Sequence, residues 1–151
     1  MTIAPPFELA NQKEQMQSLA GLLAGGRVLL VFHRGTWWPN CRRQFGELAR
    51  HAPEYARLGV RVAVVVAQRR QDVRRYIEET GLPFDILIDE SREVSKAYGV
   101  WHRIGLDAWN IARPAVFLID PDGTIRYSFV APSQDRFPSP DEIRAAIAAA
   151  T

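Results

Sequence analysis

The chain has 151 residues, of which 47% are hydrophobic and 24% are charged, and its formal net charge is +2. That length and apolar content predict one globular domain over residues 1–151, and the charge excess is too mild for the concentrated basic surface of a nucleic-acid binder. Cys41 is the only cysteine. An intramolecular disulfide is therefore excluded, and with it a small secreted fold held together by disulfides.

Hydrophobic periodicity and turn residues divide the chain into alternating helices and strands. Strands are predicted where short apolar runs occur, and helices where apolar residues recur every three or four positions. In the first half of the chain we predict a helix over 7–23, a strand over 27–33, a helix from 39 or 40, and a strand over 60–67. Pro53 is expected to break or kink the second of these helices, with a short helical turn to Leu58 after it. In the second half we predict a helix over 71–80, a strand over 84–88, a helix over 90–98, irregular structure over 100–112, a strand over 115–119, a turn over 120–123, a strand over 125–130 and a helix from the Ser139 cap to Ala150.

The order of these elements predicts an α/β domain. Strand–helix units with right-handed crossovers make the first three strands parallel, and the closing hairpin adds two strands of mixed direction. In such sheets ligands bind at the carboxyl ends of the central strands. Cys41 lies just past the carboxyl end of the first buried strand, which favours a functional role for its sulfur.

The residues around Cys41 suggest a reactive thiol. Cys41 falls in the first turn of a predicted helix, where unpaired N–H groups and the helix dipole favour the thiolate. Arg42 and Arg43 act in the same direction, and the thiolate is the nucleophilic form of cysteine. The alternative is that Cys41 is a small buried hydrophobic residue.

Three segments of the chain resemble one known family. They are Arg-Gly-Thr-Trp-Trp-Pro-Asn-Cys at 34–41, Leu-Pro-Phe-Asp-Ile-Leu-Ile-Asp at 82–89 and Arg-Pro-Ala-Val-Phe-Leu-Ile-Asp-Pro-Asp-Gly at 113–123. In this order they resemble the thioredoxin-like superfamily, and within it the peroxiredoxin-like branch, the alkyl hydroperoxide reductase and thiol-specific antioxidant family. The resemblance implies a thioredoxin-like fold, with a central mixed five-stranded sheet flanked by helices.

The resemblance also implies roles for residues near Cys41. Cys41 matches the peroxide-reacting cysteine of peroxiredoxins. Trp38 occupies the position of the first cysteine in relatives with a Cys-x-x-Cys pair, and of the threonine in peroxiredoxins. An indole N–H is a donor only, so Trp38 could replace only part of the role of that threonine. A two-cysteine exchange cycle within one chain is excluded.

Other matched positions complete the predicted site. Pro114 matches the thioredoxin-type cis-proline, which predicts a cis bond between Arg113 and Pro114. Arg113 would then face the Cys41 loop and stabilise the thiolate. Trp37 is expected to form a wall of the site, and Pro39 belongs to the matched loop. Gln44 stands where many relatives carry glutamate.

His33 is a further candidate, because it ends the first buried strand beside that loop. It could act as a general base or as a hydrogen-bonding group of the site, and the alternative is a merely packed histidine. His51, His102 and Cys41 have no zinc-like spacing. No metal or cofactor is therefore expected.

We therefore predict a thiol-dependent oxidoreductase and antioxidant, a one-cysteine peroxiredoxin-like enzyme. Its expected partners are a hydroperoxide substrate and an external thiol or redoxin reductant, with no nucleic acid, no membrane and a homodimer left open. The N-terminal residues show no signal peptide, so a cytoplasmic location is expected.

Two other interpretations stay open. In the first, the chain is a catalytically impaired thioredoxin-fold module that binds a protein partner or small ligand through Trp37 and Trp38. In the second, Trp38 is a change introduced into a Cys-x-x-Cys reductase.

Overall fold

The computed structural model describes residues 2–33, 39–68, 73, 82–104, 109–112, 114–131 and 137–150, and at 39–42, 101–104 and 109–112 the description is limited to the backbone. Nine strands and four helices are described in this part of the chain. The strands are β1 (Glu8–Ala10), β2 (Met16–Ser18), β3 (Arg27–His33), β4 (Val60–Val66), β5 (Asp85–Ile88), β6 (Trp101–Ile104), β7 (Trp109–Ala112), β8 (Ala115–Ile119) and β9 (Ile125–Val130), and the helices are α1 (Leu19–Leu23), α2 (Pro39–Arg57), α3 (Glu93–Ala97) and α4 (Pro140–Ala149).

The main sheet has five strands in the order β5-β4-β3-β8-β9. β3 pairs in parallel with β4, and β4 in parallel with β5. β8 runs antiparallel to β3, and β9 antiparallel to β8. The predicted mixed five-stranded sheet is confirmed, and β3 lies at its centre with both faces covered.

Each face of this sheet carries its own apolar core. On one face, α2 and α4 pack on alternate residues of β3 and β4 through side chains such as Phe45, Leu48 and Ile143. On the other face, α1 and the N-terminal segment pack on the intervening residues, with Tyr98 in ring contact with Phe32 at 5.1 Å. Burial on both faces explains why β3 is apolar along nearly its whole length.

A tight approach of two glycines aligns the amino ends of β3 and β4. Gly26 has a φ of +133°, and a Cβ there would lie 3.0 Å from the carbonyl oxygen of Gly59. The N–H of Arg27 donates to that same carbonyl at 3.1 Å. Glycine is required here because other residues rarely adopt this φ and would collide with the Gly59 backbone.

The predicted helix over 7–23 is wrong for about its first three turns. Residues 8–18 form the β1–β2 hairpin, and only Leu19–Leu23 is helical. Asn11 Oδ1 accepts hydrogen bonds from the N–H groups of Lys13 and Gln15, both at 2.9 Å, which fixes a turn. The Gln12 amide donates to the Phe84 carbonyl and accepts from the Ile86 N–H, so it pairs with the outer edge of β5. These tertiary bonds override a leucine spacing typical of helices.

Of the two outcomes expected at Pro53, the break is wrong, because α2 continues through Pro53 to Arg57, and the kink stays a prediction. A proline inside a helix removes one backbone hydrogen bond. Buried Leu48 and Tyr55 on either side of Pro53 hold the helix against the sheet, and this packing outweighs the missing bond.

Two more boundaries differ from the predictions. The helix predicted over 90–98 begins only at Glu93, because Arg92 has a left-handed φ of 68° and Asp89 accepts from the N–H and the hydroxyl of Ser95, both at 2.8 Å. Residues 100–112, expected to be irregular, contain the antiparallel β6–β7 pair. The predicted helix over 71–80 lies, except for Val73, outside the described residues.

Across the described ranges of the chain, no helix combines the length and the apolar character that crossing a bilayer would require.

Candidate active site

The candidate site lies at the carboxyl end of β3. β3 ends at His33, and α2 begins six residues later at Pro39, so Cys41 is the third residue of α2. Pro39 stands at the first helical position, where its missing N–H costs nothing. The sequence prediction that Cys41 occupies the first turn of a helix is confirmed at the level of the backbone.

His33 is fully buried at this end of the sheet. Its ring packs edge-on against Phe45 of α2 at 4.8 Å and stacks on Phe137, just before α4, at 5.3 Å. Neither ring nitrogen has a hydrogen-bond partner within the described part of the chain. Burial in this aromatic setting lowers the pKa of His33 from 6.5 to about 3, because the charged imidazolium would lose its hydration.

That shift distinguishes the two roles considered for His33. A general base works best when its pKa is close to the operating pH. An imidazole with a pKa of about 3 is a poor proton acceptor near neutral pH. The lowered pKa therefore argues against the general base, and the neutral hydrogen-bonding group and the merely packed histidine both stay open.

Pro114 lies at the same end of the sheet. It precedes β8, whose first residue Ala115 pairs with Phe32, the neighbour of His33. Pro114 is buried, and its carbonyl accepts the Ala131 N–H at 2.8 Å. The sheet thus brings the Pro114 backbone to the strand end that carries the Cys41 loop, as the sequence predicted.

The remaining predicted site residues fall outside what the structure describes. Trp37 and Trp38 belong to residues 34–38, and Arg113 is not described, so the predicted cis bond to Pro114 also lies outside the described residues. The roles given to these side chains, and to those of Pro39 and Cys41, stay predictions.

Two residues of this region had no assigned role in the sequence-based site. Gln44, one turn after Cys41, is 9% exposed, and its Oε1 has no hydrogen-bond partner in the described ranges. Phe137 covers the His33 ring. In the sequence, the glutamine at position 44, where many relatives carry glutamate, already pointed to Gln44. No spacing or motif pointed to Phe137, because its contact with His33 joins residues 104 positions apart.

Two open grooves of the described part of the chain lie away from His33. A cavity of about 400 Å³ is lined by residues such as Ala56, Gly59, Arg61 and Asp85, near the amino ends of β4 and β5. The parallel strands place that end opposite to His33. In the described ranges, no group of three or more His, Cys, Asp or Glu side chains is arranged to hold a metal ion.

Comparison with known proteins gives one family match. The AhpC/TSA family model matches residues 2–128. Peroxiredoxin Bcp of Escherichia coli K12 is 32% identical over 130 residues, which cover 84% of this chain and 82% of the relative. The thiol-disulfide oxidoreductase ResA of Geobacillus thermodenitrificans is 32% identical over 124 residues, 82% of this chain and 64% of that protein.

Solved structures show the same fold. Peroxidoxin BcpB of Mycobacterium tuberculosis superposes with a TM-score of 0.83 at 21% identity, covering 97% of this chain and 92% of the other. A yeast mitochondrial 1-Cys peroxiredoxin gives a TM-score of 0.83 at 20% identity over 99% of this chain and 74% of the other. At such identities the structural likeness concerns the fold, and the expected thioredoxin-like architecture is confirmed.

Proposed function

The chain belongs to the AhpC/TSA family, and on that premise we propose that it is a thiol-dependent oxidoreductase and antioxidant that reduces hydroperoxides through Cys41. The observation that carries the proposal is the position of Cys41 in the first turn of α2, at the carboxyl end of the central strand. Helix N–H groups there stabilise a thiolate. Peroxiredoxin Bcp, with 32% identity across most of both chains, supports the reaction class.

The proposed reaction has three steps. The Cys41 thiolate attacks the terminal oxygen of the hydroperoxide, the O–O bond breaks, and the leaving alkoxide takes a proton to become an alcohol or water. Sulfur loses two electrons and becomes a sulfenic acid. Because the chain has no second cysteine, an external thiol must then attack the sulfur, so that an S–S bond forms and the hydroxyl group leaves as water. A second external thiol attacks this mixed disulfide, which releases the external disulfide and restores the Cys41 thiolate.

The external reductant is a small thiol or a redoxin in this proposal. In the yeast 1-Cys peroxiredoxin of similar fold, the thiol is resolved via glutathione and thioredoxin systems. This supports an external thiol as the reductant of Cys41. A cytoplasmic location for the reaction stays a prediction.

The other site residues have supporting roles in the proposal. Arg113 stabilises the thiolate, Trp37 forms a wall of the site, and Trp38 supplies one N–H donor. Pro39 starts the helix that carries Cys41. Pro114 packs beside the sulfur, and His33 contributes a neutral hydrogen-bonding group.

Oxygen transfer to Cys41 is the experiment that tests this function. One equivalent of hydrogen peroxide should add 16 Da to the intact protein, and peptide mapping should place the oxygen on Cys41. Met16 is 59% exposed and is a second oxidation site, so Cys41→Ser measures the background. We expect Cys41→Ser to lose thiol-dependent peroxide turnover completely.

A contrary result points to the two other interpretations. Full activity in Cys41→Ser would refute the proposal. An inert wild-type thiol would favour a binding module, and disulfide reductase turnover in Trp38→Cys would identify a reductase that lost its first cysteine.

We also propose a homodimer formed through β9. The β5 edge of the sheet is occupied by the Gln12 amide. On the other edge, within the described residues, β9 pairs with β8 in the main sheet, its first N–H, that of Ile125, donates to the Thr2 carbonyl at 2.9 Å, and Val130 at its far end is 40% exposed. An edge strand can pair with a second copy. Light scattering should give twice the 17.1 kDa chain mass, and Val130→Lys should return it to one.

A further inference from the structure

An open groove lies near the amino ends of β4 and β5, at the opposite end of the sheet from His33. Its described lining comes mainly from the turn of the β1–β2 hairpin, the C-terminal half of α2, the start of β4 and the segment before β5. Its volume of about 400 Å³ is within the range of small-molecule sites in proteins. The proposed peroxide chemistry uses none of the residues that line it.

The groove exists because the side chains on the sheet-facing side of α2 become small towards its end. Phe45 and Leu48 bury large side chains against the sheet. Ala52 and Ala56 continue the same face of the helix at intervals of one turn and line the groove. Val62 of β4, which is 4% exposed, lines it as well. Methyl groups therefore form much of the groove surface, and its floor is apolar.

The rim of the groove carries more positive than negative charge. Lys13, Arg61 and Asp85 line it. Both oxygens of the Asp85 carboxylate are occupied, because Oδ2 accepts from the Arg61 guanidinium at 2.6 Å and Oδ1 from the Asn11 amide at 3.0 Å. The Arg61 side chain is 52% exposed and keeps further N–H donors beyond that bond. The Lys13 ammonium forms no ion pair within the described ranges, so one positive charge is left without a partner.

An apolar floor below a positive rim fits an aliphatic carboxylate. A short alkyl chain removes the apolar floor from water. Its carboxylate pairs with the Lys13 ammonium and accepts from the free donors of Arg61. An alkylammonium ion of the same length is repelled by this rim, and an alcohol of the same length gains no ion pair. An inorganic anion such as phosphate leaves the apolar floor uncovered.

We propose that this groove binds a short-chain aliphatic monocarboxylate, with the alkyl chain on Ala52, Ala56 and Val62 and the carboxylate at Lys13 and Arg61. The inference is independent of the proposed function, because it concerns the other end of the sheet and does not involve the sulfur. Binding stabilises the folded protein, since the hairpin turn, α2 and the segment before β5 come together only in the folded chain.

The test is a titration of the full-length, ¹⁵N-labelled protein with hexanoate, followed by heteronuclear NMR. We expect saturable shifts of the backbone N–H signals of Ala56, Gly59 and Phe84, with a Kd of about 1 mM, a modest affinity for so small a ligand. The signals of Phe32 and Ala115, near the other end of the sheet, should not move. Hexylammonium and hexanol have the same alkyl chain without the carboxylate, and both should bind at least about fivefold more weakly.

Four variants locate the site. Lys13→Met should raise the Kd for hexanoate about two- to fivefold, which is the effect of one exposed ion pair. Lys13→Glu makes the rim negative and should reverse the preference between hexanoate and hexylammonium. Lys96→Met is the matched control, because it removes the only other lysine ammonium from a position that does not line the groove, and it should leave the Kd unchanged. Ala56→Phe places a ring in the groove and should abolish binding.

Several results would overturn the inference. These are the absence of saturable shifts at concentrations well above the expected Kd, equal affinities for hexanoate and hexylammonium, and a Kd that neither Lys13 variant changes. Shifts centred on Tyr98 and Ser128 would place the ligand in the second groove and would also overturn it. Lys13 is exposed, so its variants decide the question even where Ala56→Phe fails to fold.

Discussion

The polar side chains at the two ends of strand β3 differ in the partners they have. At the amino end, the Arg27 guanidinium donates to the Ala150 carbonyl at 2.7 Å and lies 3.2 Å from Asp120, which also accepts from Arg126 at 2.5 Å. At the carboxyl end, His33 is buried more deeply and its nitrogens have no partner in the described ranges. The charged groups at one end of the strand thus pair with one another, whereas the buried imidazole at the other end has no hydrogen-bond partner in the described ranges.

The difference between the two ends indicates which end of β3 has a functional role. The Arg27 network ties the end of α4 to the sheet, although Asp120 Oδ1 takes part only in the ion pair and has no hydrogen-bond partner in the described ranges. Unsatisfied buried polar atoms lower stability and are retained where chemistry needs them. The backbones of Cys41 and Pro114 lie at the His33 end of β3, which is also where parallel strands of α/β sheets bind their ligands.

The largest expected effect concerns acid stability and His33. The pKa of His33 is lowered to about 3 by burial in the folded state, against 6.5 in an exposed histidine. Above pH 6.5 both states are neutral and stability is unaffected. As the pH falls below 6.5, only the unfolded state takes up a proton, so stability is lost at about 1.4 kcal/mol per pH unit, to roughly 5 kcal/mol near pH 3.

Urea denaturation of wild type and His33→Phe over this range measures the effect. Carboxylates titrate alike in both proteins, so the difference between the two isolates His33. It should reach roughly 2 kcal/mol by pH 5. Parallel stability curves for the two proteins between pH 7 and pH 5 would show that His33 is not shielded in solution.

The next effect concerns the packing at the same end. Phe45 is fully buried and contacts the His33 ring. We expect Phe45→Ala to destabilise the fold by about 3–5 kcal/mol, because a large core side chain is lost and a cavity opens under α2. Urea unfolding at pH 7 measures it. A cost below about 1 kcal/mol would mean that Phe137 and α2 collapse into the space.

The smallest effect concerns the amino end. Arg27→Met should cost about 2 kcal/mol, because it removes a charge-assisted hydrogen bond to Ala150 and one ion pair, while Asp120 keeps Arg126. Arg50→Met, on the exposed side of α2, is the matched control and should leave stability within about 0.5 kcal/mol. If both variants behave alike, the Arg27 network contributes nothing and the contrast between the two ends of β3 fails.

Much of the fold could be predicted because its signals are local. The strands at 27–33 and 115–119 have the predicted bounds, since continuous apolar runs of strand length are typical of a sheet that is buried on both faces. The start of α4 was readable from Ser139, whose hydroxyl accepts the Glu142 N–H at 3.2 Å. The helix predicted over 7–23 failed because Gln12 bonds with Phe84 and Ile86, more than 70 positions away.

The candidate site likewise contains residues that the sequence predicts and residues that only the tertiary structure places there. Cys41 could be found from the sequence, because a strand, a short loop and a helix start form one continuous pattern, and the family was readable from the segment that contains it. Phe137 could not be found, since nothing local distinguishes a phenylalanine that covers the site from any other. The unpaired state of Gln44 was equally hidden, because a missing partner is a property of every element around it.

The sequence by itself determined the order of strands and helices, the helix position of Cys41 and membership of the AhpC/TSA family, because all of these depend on neighbours in the chain. Only the tertiary structure decided that β1 and β2 replace a helix, that α2 runs through Pro53, and that His33 is neutral and buried. Each of these depends on burial and on contacts between distant residues. The free energy of a polar group is set by what surrounds it in the folded protein, and residues distant in sequence supply those surroundings.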